Sequence, residues 1–177
     1  MVPAPTARLR FREMTADDLD RMADLLGDPA GMTYYPAPKS RAEAARWIAW
    51  NRANYAAHEY GLWVVEQHDG TFVGDCGLTW QAVGDTRMLE LGYHVRAALQ
   101  GRGFATEAAL ACRDLARAKR LAPELVAIVH PENEASRRVA EKAGLTAWLG
   151  ENDSEAEAEA AVGGGAGAGR AVLRLRF

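Results

Sequence analysis

Between Leu91 and Thr106 the chain reads Leu-Gly-Tyr-His-Val-Arg-Ala-Ala-Leu-Gln-Gly-Arg-Gly-Phe-Ala-Thr. It passes from a strand pattern through a glycine-broken turn into a helix pattern. Glycines let a backbone turn with its amides converging and exposed. A helix start adds unpaired N–H groups and the positive end of the dipole. Together these features suit a phosphate-like anion. Arg96 and Arg102 flank the turn, and no acid occurs from Leu91 to Thr106. The same residues also satisfy an ordinary tight strand-to-helix loop. The pattern G-x-x-x-x-G-K-[ST] is absent, and Thr106 stands where G-x-G-x-x-G requires its third glycine, which weighs against kinase and dehydrogenase chemistry.

The elements around this loop follow from periodicity. Arg8–Arg12 alternates with Leu9 and Phe11 inward, as a strand does. Thr15 and Asp18 open a helix carrying Leu19, Met22, Ala23 and Leu26, which Gly27-Asp28-Pro29 stops. Residues 34–38, Tyr-Tyr-Pro-Ala-Pro, form a loop. Ser40 and Glu43 make a capping box for a helix to about Tyr55. Leu62–Glu66, Thr71–Trp80 and Thr86–Val95 are strands, joined by turns at Asp69-Gly70 and Gly84-Asp85. Ala105, Ala108, Ala109, Cys112, Leu115 and Ala116 form a helical stripe. Leu125–Val129 is a strand apolar enough to be covered on both faces. A helix from about Asn133 ends at Gly144, and Thr146–Leu149 is a short strand. Residues 151–169 are a low-complexity acidic and glycine-rich loop. Residues 172–177 then alternate again, with Leu173, Leu175 and Phe177 on one face, so the last strand is expected to rejoin the sheet. The order βααβββαβαββ predicts an α/β sandwich: one mixed, mostly antiparallel sheet of about seven strands, flanked by four helices, in a single domain over residues 1–177.

Composition narrows the setting. The chain has 177 residues with a net charge of −3, and the five acids of residues 151–159 leave the remainder at +2. Neither balance favours nucleic-acid binding. No apolar run approaches the ~20 residues of a membrane span, and Met1–Pro5 lacks the features of a signal peptide. A cytoplasmic protein without nucleic-acid or membrane partners is expected, as monomer or homodimer. Cys76 and Cys112 lack metal-ligand spacing and read as buried free thiols, and no metal site is expected.

A second segment complements the loop: His130-Pro-Glu-Asn133-Glu-Ala-Ser136-Arg-Arg138-Val-Ala-Glu-Lys-Ala-Gly144-Leu145. It resembles the H-P-x-N-x-x-S-x-R-V-x-E-K-x-G-F pattern of the GNAT superfamily of acyl-CoA-dependent N-acyltransferases. The branch is that of the ribosomal-protein N-terminal acetyltransferases. Gln100, Gly103 and Ala105 match the superfamily's Q/R-x-x-G-x-G/A signature, and Leu91-Gly92-Tyr93 is typical of the branch. The resemblance spans about residues 8–150. It implies a GNAT fold, acetyl-CoA as co-substrate, and a primary-amine acceptor: a protein N-terminus, an amino acid or other small-molecule amine, or an aminoglycoside-like compound. It further implies that the strand ending at Val95 splays from Leu125–Val129. Tyr93, His94 and Val95 then pair their backbone with pantetheine. The amides of Gln100, Gly101, Arg102, Gly103, Phe104, Ala105 and Thr106 hold the diphosphate. Asn133 contacts the pantetheine arm, and Arg138 is a further candidate for the phosphates. Asn133 also suits a plain helix N-cap, and Arg138 a solvated helix face.

The implied reaction is direct attack of a primary amine on a thioester. Glu90 is the first candidate for the base, on one strand face with Gly92 and His94 if no bulge intervenes. His94 and Asp75 are the second and third. Many superfamily members carry a Tyr on the helix after the Asn, where this chain has Ala140, so Ser136 is the candidate near the sulfur. Tyr34 and Tyr35 are candidates for the acceptor wall, with Trp47 and Trp50 nearby and equally suited to packing. The competing readings are a non-catalytic CoA-binding regulatory protein and a module binding the phosphates of ATP or NAD. The acidic loop at 151–169 is a candidate cover for the acceptor cleft.

Overall fold

The computed structural model describes residues 1–148 and 170–177. The predicted strand end at Leu149 and the acidic loop at 151–169 lie outside the described residues. The elements are β1 (Leu9–Arg12), α1 (Leu19–Gly27), α2 (Arg41–His58), β2 (Leu62–Gln67), β3 (Phe72–Val83), β4 (Thr86–Val95), α3 (Phe104–Lys119), β5 (Glu124–Val129), α4 (Glu134–Lys142), β6 (Thr146–Trp148) and β7 (Ala171–Arg176). Among the described residues, seven strands join one sheet in the order β1-β2-β3-β4-β5-β7-β6. This is the expected architecture and element order.

Local differences have local causes. A 3-10 turn over Ala16–Asp18 precedes α1, with the Asp18 carboxylate accepting from the Thr15 N–H at 2.8 Å, so the helix proper begins later than Thr15 suggests. The Ser40–Glu43 capping box forms as read, and α2 continues to His58, closed by Glu59 at φ 65°. β3 extends three residues past Trp80 because its ladder with β4 runs unbroken from Gly74↔Val95 to Val83↔Thr86. No bulge disturbs that ladder, so Glu90, Gly92 and His94 share a face.

The sheet consists of two halves with a short seam. β1 to β4 are antiparallel neighbours, while β5 pairs with β7 over six registered positions and β7 pairs with β6. The last strand thus lies inside the sheet. Only the parallel pairs Leu89↔Leu125 and Glu90↔Val126 join the halves. Beyond Glu90, β4 follows β3 and β5 follows β7, and a wedge opens between them.

The backbone of β4 turns alternate residues into that wedge. Arg96 N–H bonds back to Val73 on the β3 side. By the two-residue period, the main-chain groups of Tyr93 and Val95 face the other way, into the opening. Side chains divide likewise. His94 reaches Tyr35 and, through Asp75, Trp47 of α2, whereas Tyr93 reaches Ser136 of α4. The core under the wedge is tightly closed: Trp63, Leu78, Leu89, Leu91 and Leu125 are fully buried, as are Ala109, Cys112 and Ala116 of the α3 stripe.

Candidate active site

The chain leaves β4 through a 3-10 turn at Ala97–Leu99, passes Gly101 at φ 74° and Gly103 at φ 81°, and enters α3 at Phe104. Both glycines occupy the left-handed region that L side chains resist. This path stacks successive N–H groups at the helix mouth. Among the described residues, the N–H groups of Gly101 to Thr106 donate to no protein acceptor. The cradle is one residue shorter than expected. The Gln100 N–H donates to the Ala97 carbonyl at 3.2 Å, while its side chain ties the Val95 carbonyl at 3.0 Å. Arg102 is exposed, and neither it nor Arg96 lines the cavity beside the loop.

That cavity has a volume of about 340 Å³. It runs from the loop (Gly101, Gly103, Phe104, Ala105, Thr106) along Tyr93 and Val95 to Tyr34 and Tyr35, with Asn133, Ser136 and Arg138 on the α4 side. The wedge is therefore a passage connecting an anion cradle to the loop between α1 and α2.

On the α4 side, Asn133 caps the helix: its carboxamide oxygen accepts from the Ser136 N–H at 3.0 Å. The capping reading and a binding role coexist, since the NH₂ half of the side chain is not used by the cap. Ser136 Oγ donates to the Tyr93 hydroxyl at 3.1 Å, and that hydroxyl donates to the Ser136 carbonyl at 2.7 Å. Burial holds the Tyr93 proton on more firmly than usual, although the Ser136 bond pulls the other way. The sequence reading took Tyr93 for its backbone alone. Its phenol was missed because the partner lies 43 residues away. Arg138 is exposed at the rim of the cavity and bonds Glu134 at 2.7 Å.

The other face carries a chain of titratable groups. The Asp75 carboxylate is fully buried and accepts from His94 Nδ1 at 2.7 Å and Trp47 Nε1 at 3.0 Å. With one buried donor on each oxygen, Asp75 orients His94 and Trp47. His94 Nδ1 donates to that carboxylate, and Nε2 lies 2.8 Å from the Tyr35 hydroxyl, accepting from it when the ring is neutral and donating to it when the ring is protonated. Glu90, two strand positions from Gly92 and four from His94, is half-buried, and Thr79 Oγ1 lies 3.4 Å from its carboxylate. Burial pushes the Glu90 carboxyl up to about 7, against the pull of the His94 charge and the Thr79 bond. Tyr34 packs its ring 5.3 Å from that of His130. Trp47 contacts the rings of Trp50 and His94, while Trp50 is 37% exposed and does not line the cavity. Cys76 and Cys112 are buried free thiols 3.6 Å apart.

Comparison with known proteins bears on this arrangement. The acetyltransferase (GNAT) domain family matches residues 8–146. The chain belongs to the GNAT acetyltransferase family. The chain is also similar to the uncharacterized protein YkkB of Bacillus subtilis (strain 168), 37% identical over 142 residues, covering 79% of this chain and 83% of that protein. A solved acetyltransferase from Agrobacterium tumefaciens str. C58 is 25% identical with a TM-score of 0.81, covering 100% of this chain and 95% of the other. RimL, a ribosomal L7/L12 α-N-protein acetyltransferase solved with coenzyme A, shares the fold at a TM-score of 0.73 and 12% identity, covering 100% of this chain and 98% of that one. Solved acetyltransferases of varied description match over nearly the whole chain, at TM-scores of 0.81, 0.76 and 0.74, so the ribosomal-protein branch expected from the motifs is not distinguished within the family.

Proposed function

We propose that this GNAT protein transfers the acetyl group of acetyl-CoA to a primary amine, with both reactants held in one ternary complex. The observation that carries the proposal is the wedge between β4 and β5, with unpartnered loop amides at one end and His94, Tyr34 and Tyr35 lining the other. The residues fit such a co-substrate. Six N–H groups suit a diphosphate, and the Tyr93 and Val95 main chain suits an amide-bearing arm. The co-substrate supplies the thioester carbonyl and a thiolate leaving group.

The chain's own residues divide the remaining work. The amides of Gly101 to Thr106 bind the diphosphate, and the Asn133 NH₂ group holds the arm. A main-chain N–H facing the wedge, at Val95 or Tyr93, donates to the carbonyl oxygen as charge develops there. The Ser136 O–H, which rests on the Tyr93 hydroxyl, turns to donate to the leaving sulfur as charge develops there. Glu90 takes the amine proton through a water. Its pKa of about 7 supports an α-amine acceptor, near ~7.7–8.0, over a lysine side chain, near ~10.4. A peptide N-terminus therefore precedes a lysine side chain as the acceptor in this reading. Tyr34 and Tyr35 wall the acceptor end, and the Tyr35 hydroxyl sits on His94 until the acceptor enters.

The alternative is a CoA-binding protein without turnover, favoured by Ala140 where many superfamily members have a Tyr. The test is release of CoA thiol from acetyl-CoA over a panel of amino acids, small amines and N-terminal peptides. Acceptor-dependent release supports the transferase. Tight CoA binding with no release across the panel overturns it in favour of the binding protein.

A further inference from the structure

The segment ahead of β1 is stapled to the loop that opens α3. Arg8 Nε and Nη2 each lie 2.6 Å from Glu107 Oε2, while the Arg8 N–H and the Thr6 hydroxyl donate to Oε1 at 2.9 and 2.6 Å. Arg8 Nη1 donates to the Arg102 carbonyl at 3.0 Å. The guanidinium lies 4.5 Å over the Phe104 ring, and its Nη2 stands 3.4 Å from where a Cβ on Gly103 would be. One side chain thus touches Arg102, Gly103 and Phe104 from outside the loop.

Peptide geometry gives this clamp a consequence. In a planar trans peptide the C=O and N–H point in opposite directions. The Arg102 carbonyl and the Gly103 N–H belong to the same peptide. Drawing the carbonyl towards Arg8 turns that N–H the other way, to the side on which Gly103 lines the cavity. A glycine-flanked peptide resists reorientation weakly, so an external hold on the carbonyl decides its direction. Charge adds a second effect. Glu107 is the first acid after the loop and lies in the first turn of α3, where its charge would oppose an anion. Burial pushes its carboxyl up, but the Thr6 hydroxyl and Arg8 outweigh that and hold it below the usual range, so it stays ionised and paired.

We infer that Arg8 is a positioning residue for diphosphate recognition: it fixes the Arg102–Gly103 peptide with its N–H towards the anion and offsets the Glu107 charge at the rim. This rests on the acetyl-CoA reading above. The test is titration calorimetry of the full chain with CoA and with pantetheine, which lacks the diphosphate. Arg8→Met is expected to weaken CoA binding about 10- to 100-fold, the range of a hydrogen bond between charged groups. Pantetheine binding, kcat at saturating acetyl-CoA and the acceptor KM should stay within about twofold of the unsubstituted protein, since the ligand part lost is the diphosphate contact. Arg8→Lys keeps a cation but cannot fork to Glu107 and Arg102 together, so it should recover only part of the loss. Unchanged CoA affinity in Arg8→Met, equal weakening towards both ligands, or full recovery in Arg8→Lys overturns the inference. An unsubstituted chain that binds no CoA overturns the acetyl-CoA reading, and this inference with it.

Discussion

Replacing Glu90 by Gln tests the proposed base and its environment together. Burial raises the carboxyl from 4.5 to about 7. Between those values the folded protein keeps a proton that the unfolded chain has released, so stability falls as pH rises through that window. At 1.36 kcal/mol per pKa unit the loss reaches about 3 kcal/mol above pH 7. Glu90→Gln cannot ionise. Its urea-unfolding free energy, measured from pH 4.5 to 8, should gain on the wild type by about that amount across the range. The rate should move in the opposite direction. General-base removal costs about 10²–10⁴ in kcat/KM. With an α-amine acceptor, the wild-type logarithmic profile should steepen towards a slope of two below pH 7, one proton on the base and one on the amine. Glu90→Gln should keep only the amine's slope of one. His94→Gln offers a signed control. The His94 charge lowers the Glu90 pKa, so its loss should move the lower limb to higher pH without abolishing it. A limb that survives in Glu90→Gln and vanishes in His94→Gln refutes the assignment and makes His94 the base.

Three other substitutions probe separate parts of the site. Ser136→Ala should lower kcat, by about tenfold for one lost hydrogen bond to the developing thiolate, more than it raises the acetyl-CoA KM, and steady-state kinetics separate the two. Gly103→Ala forces an L side chain to φ 81° beside Arg8. It should cost about 1–2 kcal/mol of stability, read by thermal melting, and weaken CoA binding measured by calorimetry. Asp75→Asn leaves one acceptor oxygen for two buried donors, His94 Nδ1 and Trp47 Nε1. A loss of about 1–3 kcal/mol in urea unfolding is expected, with a wild-type midpoint refuting the buried network.

The sequence by itself determined what short-range chemistry controls. The six-amide cradle depends on two glycines that alone tolerate φ near +80° and on a helix start a few residues later, all within one turn of chain. The Ser40–Glu43 cap, the α3 stripe and the alternation of the final strand were legible for the same reason. Tertiary structure decided what depends on register and burial. The wedge exists because β5 follows β7 after only two pairs with β4, and no local pattern states where a parallel ladder stops. The same long-range register sets Asp75 opposite His94, brings Tyr93 to Ser136, places β7 between β5 and β6, and lays Arg8 across a loop some 94 residues further on. Glu90 shows the division in one residue: strand alternation put it on one face with Gly92 and His94, and only the packing around it raised its proton affinity.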